Sequence, residues 1–352
     1  MLRFVKRDEI SKRKSIMIKI ASVMLALVIF GIFIIFLKKN PIQVYQSMIK
    51  GSFGSAYSTK ETIKLAIPLC IAALGVSVAF KMQFWNIGAE GQIMMGAFFA
   101  SMFALKMPNL PRPMLLILMM AGGVLGGSLW ALIPAIFKAK WKTNETIVTL
   151  MMNYIAIKWV TFLQYGPLKD PKAKGFPKIA NFTQNAILPD LFGVHIGWIF
   201  ALILVVVVYI FMKYTKKGYE IAVLGESEKT ALYSGINIKK TIIISILLSG
   251  GLCGLVGMIQ ASGVSGTLAY NVSGGVGFTA IIVAWLSSLS APIILVISIL
   301  FAALEQGGSF IQSSFGIPEA AAQILQATIL FFVLGSEFFI KFKIERKVGD
   351  AL

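Results

Sequence analysis

Long apolar runs recur along this chain, and each is close to the length needed to cross the hydrocarbon core of a bilayer. The first, residues 16–37, reads IMIKIASVMLALVIFGIFIIFL. Others fall near 62–80, 87–105, 114–137, 146–165, 196–213, 240–260, 275–289, 291–306 and 320–340. A helix rises about 1.5 Å per residue and the core is about 30 Å thick, so roughly 20 apolar residues make one crossing. The pattern predicts an all-α membrane protein of about ten transmembrane helices. With 57% hydrophobic and 14% charged residues, the chain is neither a disordered polymer nor an ordinary soluble enzyme. The net charge of +18 raises nucleic acid as a partner. The basic residues, however, flank the apolar runs one by one and build no continuous face, so no nucleic-acid partner is expected.

The same flanking charges orient the spans. On a ten-span reading, the loops on the side of both termini carry about twice as many Lys and Arg as the opposite loops. Both termini are therefore expected in the cytoplasm. The first run is too long for a signal-peptide core and no small-x-small cleavage site follows it, so it reads as an uncleaved helix. The organisation expected is a basic N-terminus over 1–15, a membrane domain over 16–340 with a cytoplasmic loop at 214–238, and a C-terminal tail over 341–352.

Little in the chain suggests covalent or metal chemistry. Cys70 and Cys253 both lie inside apolar runs and read as packed thiols. No cysteine or histidine spacing fits a metal site. His195, the one histidine, stands at the start of an apolar run and reads as an interfacial residue. Gly122 with Gly126, Gly123 with Gly127, and Gly250 with Gly254 are small-xxx-small pairs, which allow helices to approach closely in lipid. The stretch Gly275-Val-Gly277-Phe-Thr-Ala280 matches a dinucleotide fingerprint by letter. No βαβ pattern surrounds it and no acidic residue follows at the right distance, so it is not read as one.

Polar groups inside spans are costly and point to function. The densest cluster is KMQFWNIGAEGQIMMGA at 81–97, where Trp85, Asn86, Glu90 and Gln92 alternate with Gly88 and Gly91. Irregular backbone at membrane depth survives only where it lines a cavity or is buried in protein. Asn153 stands in a second such place, and Glu305, Gln312 and Gln326 in a third. These eight residues are the candidate substrate path. Amides offer donors and acceptors together and suit a neutral, hydroxyl-rich or heterocyclic solute. Trp85 could stack on a base or sugar, or serve as an interfacial aromatic. Glu90 could equally cap a helix end or pair with Lys81 or Lys158.

Two glycine-broken segments, WNIGAEGQIMMGAFFA and SGGVGFTAIIVAWLSS, follow the second and seventh runs. Their entry from opposite faces suggests two inverted-topology repeats, with the path at their interface. In the loop at 213–240, Gly225-Glu226-Ser227 reads as a turn and N-cap, with EKTALYSG as a short helix ended by Gly235. Such a helix suits docking into a groove on a soluble partner.

The segments WNIGAEGQIMMGAFFA, NETIVTLMMNYIAI, GESEKTALYSGINIKKTIIISILLSGGLCGLVGMIQASG and GIPEAAAQILQATILFFVL together resemble permease subunits of bacterial ABC importers. The resemblance is to the branched-chain amino acid and simple-sugar permease superfamily, nearest its nucleoside branch, and covers about residues 60–340. It implies a type II-like importer permease in the cell membrane. Two permeases, often a heterodimer of similar chains, would stand on two cytoplasmic ATP-binding cassette subunits, fed by a substrate-binding protein or lipoprotein. Gly225, Glu226, Ala231, Tyr233, Ser234 and Gly235 would then belong to a coupling helix seated on the ATPase. No G-x-x-x-x-G-K-[ST] phosphate loop is present, so ATP would bind the partner and this chain would need no cofactor. Purine nucleosides are the leading substrates and simple sugars the next. The rival from another class is a partner-independent secondary transporter or channel, which would need a titratable chain built from Glu90, Glu305, Lys81 and Lys158. An enzyme is not expected, because no span carries a nucleophile–base pair.

Overall fold

The computed structural model describes residues 2–6, 11–173, 175–318 and 320–346. It is almost entirely helical, and the chain divides into two compact units, Lys60–Ala302 and a second formed by Met1–Thr59 with Ala303–Leu352. Among the described residues, seven helices are long and apolar enough to cross a membrane.

The unit made from the two ends of the chain opens with strand β1 (Leu2–Lys6), followed by α1 (Lys12–Phe36) and α2 (Pro41–Phe53). Helix α2 falls where a loop was expected. It starts on a recognisable signal: Asn40 accepts hydrogen bonds from the Ile42 and Gln43 amides, and Pro41 takes the first helical position, where no amide is needed. Within the same unit α1 packs on α13 (Ala320–Lys341), and β1 pairs antiparallel with β4 (Phe342–Arg346), Leu2 facing Arg346. Of the expected tails, residues 1, 7–10 and 347–352 lie outside the described residues. Large apolar side chains along α1, among them Ile20, Met24, Val28 and Ile32, are exposed, as expected for a surface solvated by lipid.

In the other unit α3 (Ala56–Lys81), α4 (Ala89–Lys106), α5 (Arg112–Trp141), α6 (Glu145–Tyr165) and α7 (Gly197–Tyr214) follow one another, with the short hairpin β2 (Asp190–Leu191) and β3 (Val194–His195) before α7. Then come α8 (Lys216–Glu226), α9 (Glu228–Tyr233), α10 (Ile238–Ile259), α11 (Val276–Leu286) and α12 (Ala291–Phe315), whose end passes into the first-described unit. Helices α4, α5 and α10 form the centre. They meet through the glycines that the small-residue spacing singled out. A side chain at Gly127 would collide with the backbone of Gly250 and Gly254, and one at Gly254 with the Gly123 carbonyl. Backbone-to-backbone contact of this kind drives helix association where no hydrophobic force operates.

Two expected spans change. The run at 240–260 continues through a π-helical turn, Gln260–Ser265. The run at 275–289 yields only the 11 residues of α11. These rise about 16 Å, half the hydrocarbon thickness, so α11 is a half-helix. Gly225 is not a turn residue either, because it sits in the last turn of α8.

Candidate functional site

The segment Met82–Gly88 between α3 and α4 carries the densest part of the expected path. From Lys81 to Gly88 the side chains alternate outward and inward, with Met82, Phe84, Asn86 and Gly88 buried. Asn86 and Gln92 form a reciprocal amide pair at 3.0 and 3.2 Å, and Asn86 also donates to Ser249 Oγ of α10 at 3.1 Å. From α6, Asn153 accepts the Gly91 amide and donates to the Ile87 carbonyl, both at 2.8 Å. Thr149 Oγ1 accepts the Ile87 amide at 3.2 Å. The broken backbone is thus satisfied by protein, as membrane depth requires.

Glu90 caps a helix, but a distant one. Its Oε1 accepts from Ser273 Oγ (2.6 Å) and the Gly275 amide (3.0 Å), and its Oε2 accepts the Gly277 amide (2.8 Å). A carboxylate at a helix N-terminus answers both the unpaired amides and the positive end of the helix dipole. Gly277 is required there, since a Cβ would run into the Glu90 backbone. Among the described residues Glu90 forms no ion pair with Lys81 or Lys158. Trp85, 43% exposed, stacks on Trp285 near the C-terminus of α11 at 5.3 Å and 25°, and Phe80 packs on both rings.

Asn86, Glu90, Gln92 and Asn153 are therefore brought together, with Trp85 beside them. Their polar atoms are engaged with one another and with backbone. Glu305, Gln312 and Gln326 belong to the other compact unit. Gln326 is buried there, Glu305 half-buried and Gln312 exposed. Gln83 was not among the candidates, and Ser273, Gly277 and Trp285 lie in SGGVGFTAIIVAWLSS, which was read only as a repeat segment. A glycine-broken SGGVG pointed at Ser273 and Gly277, whereas nothing marks a tryptophan inside an apolar run as one half of a stack.

The loop region has two sides. Thr215 caps α8 by accepting the Gly218 amide. Glu220 is bonded to Lys217 and, at 3.3 Å, to Thr241 Oγ1 of α10, and the Lys217 ammonium holds its carboxyl below the usual range. Gly225 lies directly on the Lys81 carbonyl, and Gln83 Nε2 donates to the Gly225 carbonyl. Ser227 Oγ accepts the Thr230 amide and starts α9, as the N-cap spacing predicts. Gly235, at φ +71°, ends it. Gly225 and Ala231 are buried and seat the loop, while Glu226, Leu232, Tyr233, Ser234 and Gly235 face outward. A cavity of about 640 Å³ lies behind, lined by Gln83, Lys138, Lys142, Glu226, Leu232 and Lys239 among others.

His195 departs from the interfacial position expected for it. It is fully buried, wedged against Gly197 and Gly263, and neither ring nitrogen has a hydrogen-bond partner among the described residues. Burial lowers its pKa to about 4, so it is neutral.

A multi-span helical protein with broken helices meeting in its interior is the architecture of a transport permease. Residues 58–334 match the family model described as "Branched-chain amino acid transport system / permease component", and the chain belongs to that family of ABC transporter permeases. It is 32% identical to the glucose ABC transporter permease protein TsgB13 of Haloferax volcanii, over 94% of this chain and 91% of that one. Identity is 31% with the nucleoside ABC transporter permease protein NupB of Lactococcus lactis subsp. cremoris, over 95% and 93%. It is also 31% with the guanosine ABC transporter permease protein NupP of Bacillus subtilis, over 83% and 85%.

Proposed function

We propose that this chain is the membrane subunit of an ATP-driven importer of nucleosides, working by alternating access in a bacterial cell membrane with both termini in the cytoplasm. The observation that carries the reading is the two-sided loop. Gly225 and Gln83 tie it to the broken segment, and Leu232, Tyr233 and Gly235 stand free for a partner. An ATP-binding cassette subunit would dock on that outward face and supply the hydrolysis, while this chain binds no ATP and performs no catalysis. A second, homologous permease and an extracytoplasmic binding protein or lipoprotein complete the assembly. The two helical repeats would rock about a path containing Trp85, Asn86, Glu90, Gln92 and Asn153. Because Glu90 is fully engaged with α11, a solute reaches it only when α11 moves.

Relatives named for guanosine and nucleoside transport support nucleosides as the substrate. The glucose permease at similar identity supports sugars as the second reading. Competition of labelled guanosine uptake by unlabelled nucleosides and by glucose separates the two: inhibition by glucose alone overturns the nucleoside reading. Co-purification of an ATPase chain tests the assembly, and ion-gradient-driven uptake by this chain alone would refute it.

A further inference from the structure

We propose that α11 is a hinged half-helix gate, that Met82–Glu90 clasps it at both ends, and that Gln83 and Glu90 are the positioning residues through which the loop Lys216–Asn237 controls it. The proposal rests on the transport reading above, and its first test does not.

Helix α11 is bounded by left-handed backbone on both sides. Gly274 and Gly275 stand at φ +58° and +80° before it, and Ser288 and Leu289 at +52° and +60° after it. The second pair lacks the freedom of glycine, and two consecutive non-glycine residues in this region are strained. An 11-residue helix between two such turns can rotate as a body at the cost of a few dihedral angles.

Besides its packing against α4, α11 is held at both ends by one short stretch. At its start Glu90 supplies three hydrogen bonds, to Ser273, Gly275 and Gly277. Near its end Trp85 stacks on Trp285. Both clasping residues lie within six positions of each other, on backbone that Asn86, Gln92 and Asn153 make rigid.

The same stretch touches the loop at its other end. Gln83 is held at φ +58°, a conformation unfavourable for glutamine, with its side chain bonded to the Gly225 carbonyl. Gly225 packs so closely on the Lys81 carbonyl that a Cβ there would collide with it. A displacement of α8 is therefore passed to Gln83, and through a stiff segment to both clasps. Separate local contacts would not place a strained residue at the junction.

Hydrogen exchange in nanodiscs tests this on the chain without any solute. Gln83→Ala, which truncates an exposed side chain, should speed exchange in residues 220–228 and also at the α11 start, residues 274–280. Glu90→Gln should speed residues 274–280 by about tenfold, as expected for loss of hydrogen bonds to a charged group. Exchange in Gln83→Ala that changes only within 220–228 overturns the relay, and an unchanged α11 in Glu90→Gln overturns the clasp. In the complete transporter, Gln83→Ala and Trp285→Ala should lower guanosine moved per ATP by about tenfold, with Trp285→Phe restoring it. An unchanged ratio in both alanine variants also overturns the proposal. Failure of the wild-type complex to move guanosine counts against the nucleoside reading instead, leaving the exchange result to decide the gate.

Discussion

Glycine serves opposite purposes at the α5–α10 crossing and in the loop Lys216–Asn237. At the crossing, Gly123, Gly127, Gly250 and Gly254 are small because two backbones touch. In the loop, Gly235 has nothing within 4 Å of where a Cβ would stand, and it is needed for its left-handed turn alone. The first use makes the unit's centre, where a substitution has nowhere to go. The second closes an exposed helix whose outer face is available to another protein. A glycine count would score the two alike.

Substitutions should separate them. The largest effect is expected for Gly254→Val, whose added carbons meet the Gly123 and Gly127 backbone; overpacking costs about 1–3 kcal/mol or more, and here no side chain can yield. Size-exclusion profiles of the solubilised protein should lose the monodisperse peak, and a normal peak would show that the crossing can spread. Gly235→Trp should still insert in the membrane yet abolish uptake, because it strains the left-handed turn and projects a bulky ring from the proposed docking face. Wild-type transport in that variant would remove the coupling role from this turn.

His195 should make stability pH-dependent. Its folded pKa of about 4 lies below the ordinary histidine value of 6.5, so between these values the unfolded chain binds the proton and the folded chain does not. Stability is therefore complete above about pH 6.5 and falls on acidification toward 4, by about 2–3 kcal/mol. Thermal unfolding in detergent should show this slope, and His195→Phe should flatten it. The smallest change is expected from Ser227→Ala, about 1 kcal/mol locally for the lost cap of α9. Faster exchange confined to 228–233 would be its signature, and a shift in the global midpoint would contradict it.

Much of the helix plan was legible because lipid permits so few solutions. Runs of apolar residues became α3, α5, α6, α7 and α10, and the glycine pairs became the crossing. Ser227 was legible as a cap because its chemistry is local. Helix α2 was not legible in the hydropathy pattern because it is half-polar, although Asn40-Pro41 marks its start. The partners of Glu90 were not legible. Its cap lies more than 180 residues away in the chain, and no spacing rule links a carboxylate to the helix it terminates. The length of α11 was hidden for a similar reason: apolar residues on both sides of a turn look continuous.

The pairing of β1 with β4 imposes a parity on the chain. Leu2 and Arg346 are register partners, and a two-stranded ribbon with open edges cannot sit in hydrocarbon, so the chain leaves and returns to the same side of the membrane. The number of complete crossings between the strands must then be even. Among the described residues seven helices are long and apolar enough to cross, which is odd. If all seven cross, an odd number of further passages comes from the shorter segments α4, α11 and α13. The half-helix is thereby bound into the bookkeeping of the whole chain: if α4 and α13 each cross, α11 with the backbone leading to it completes the remaining passage.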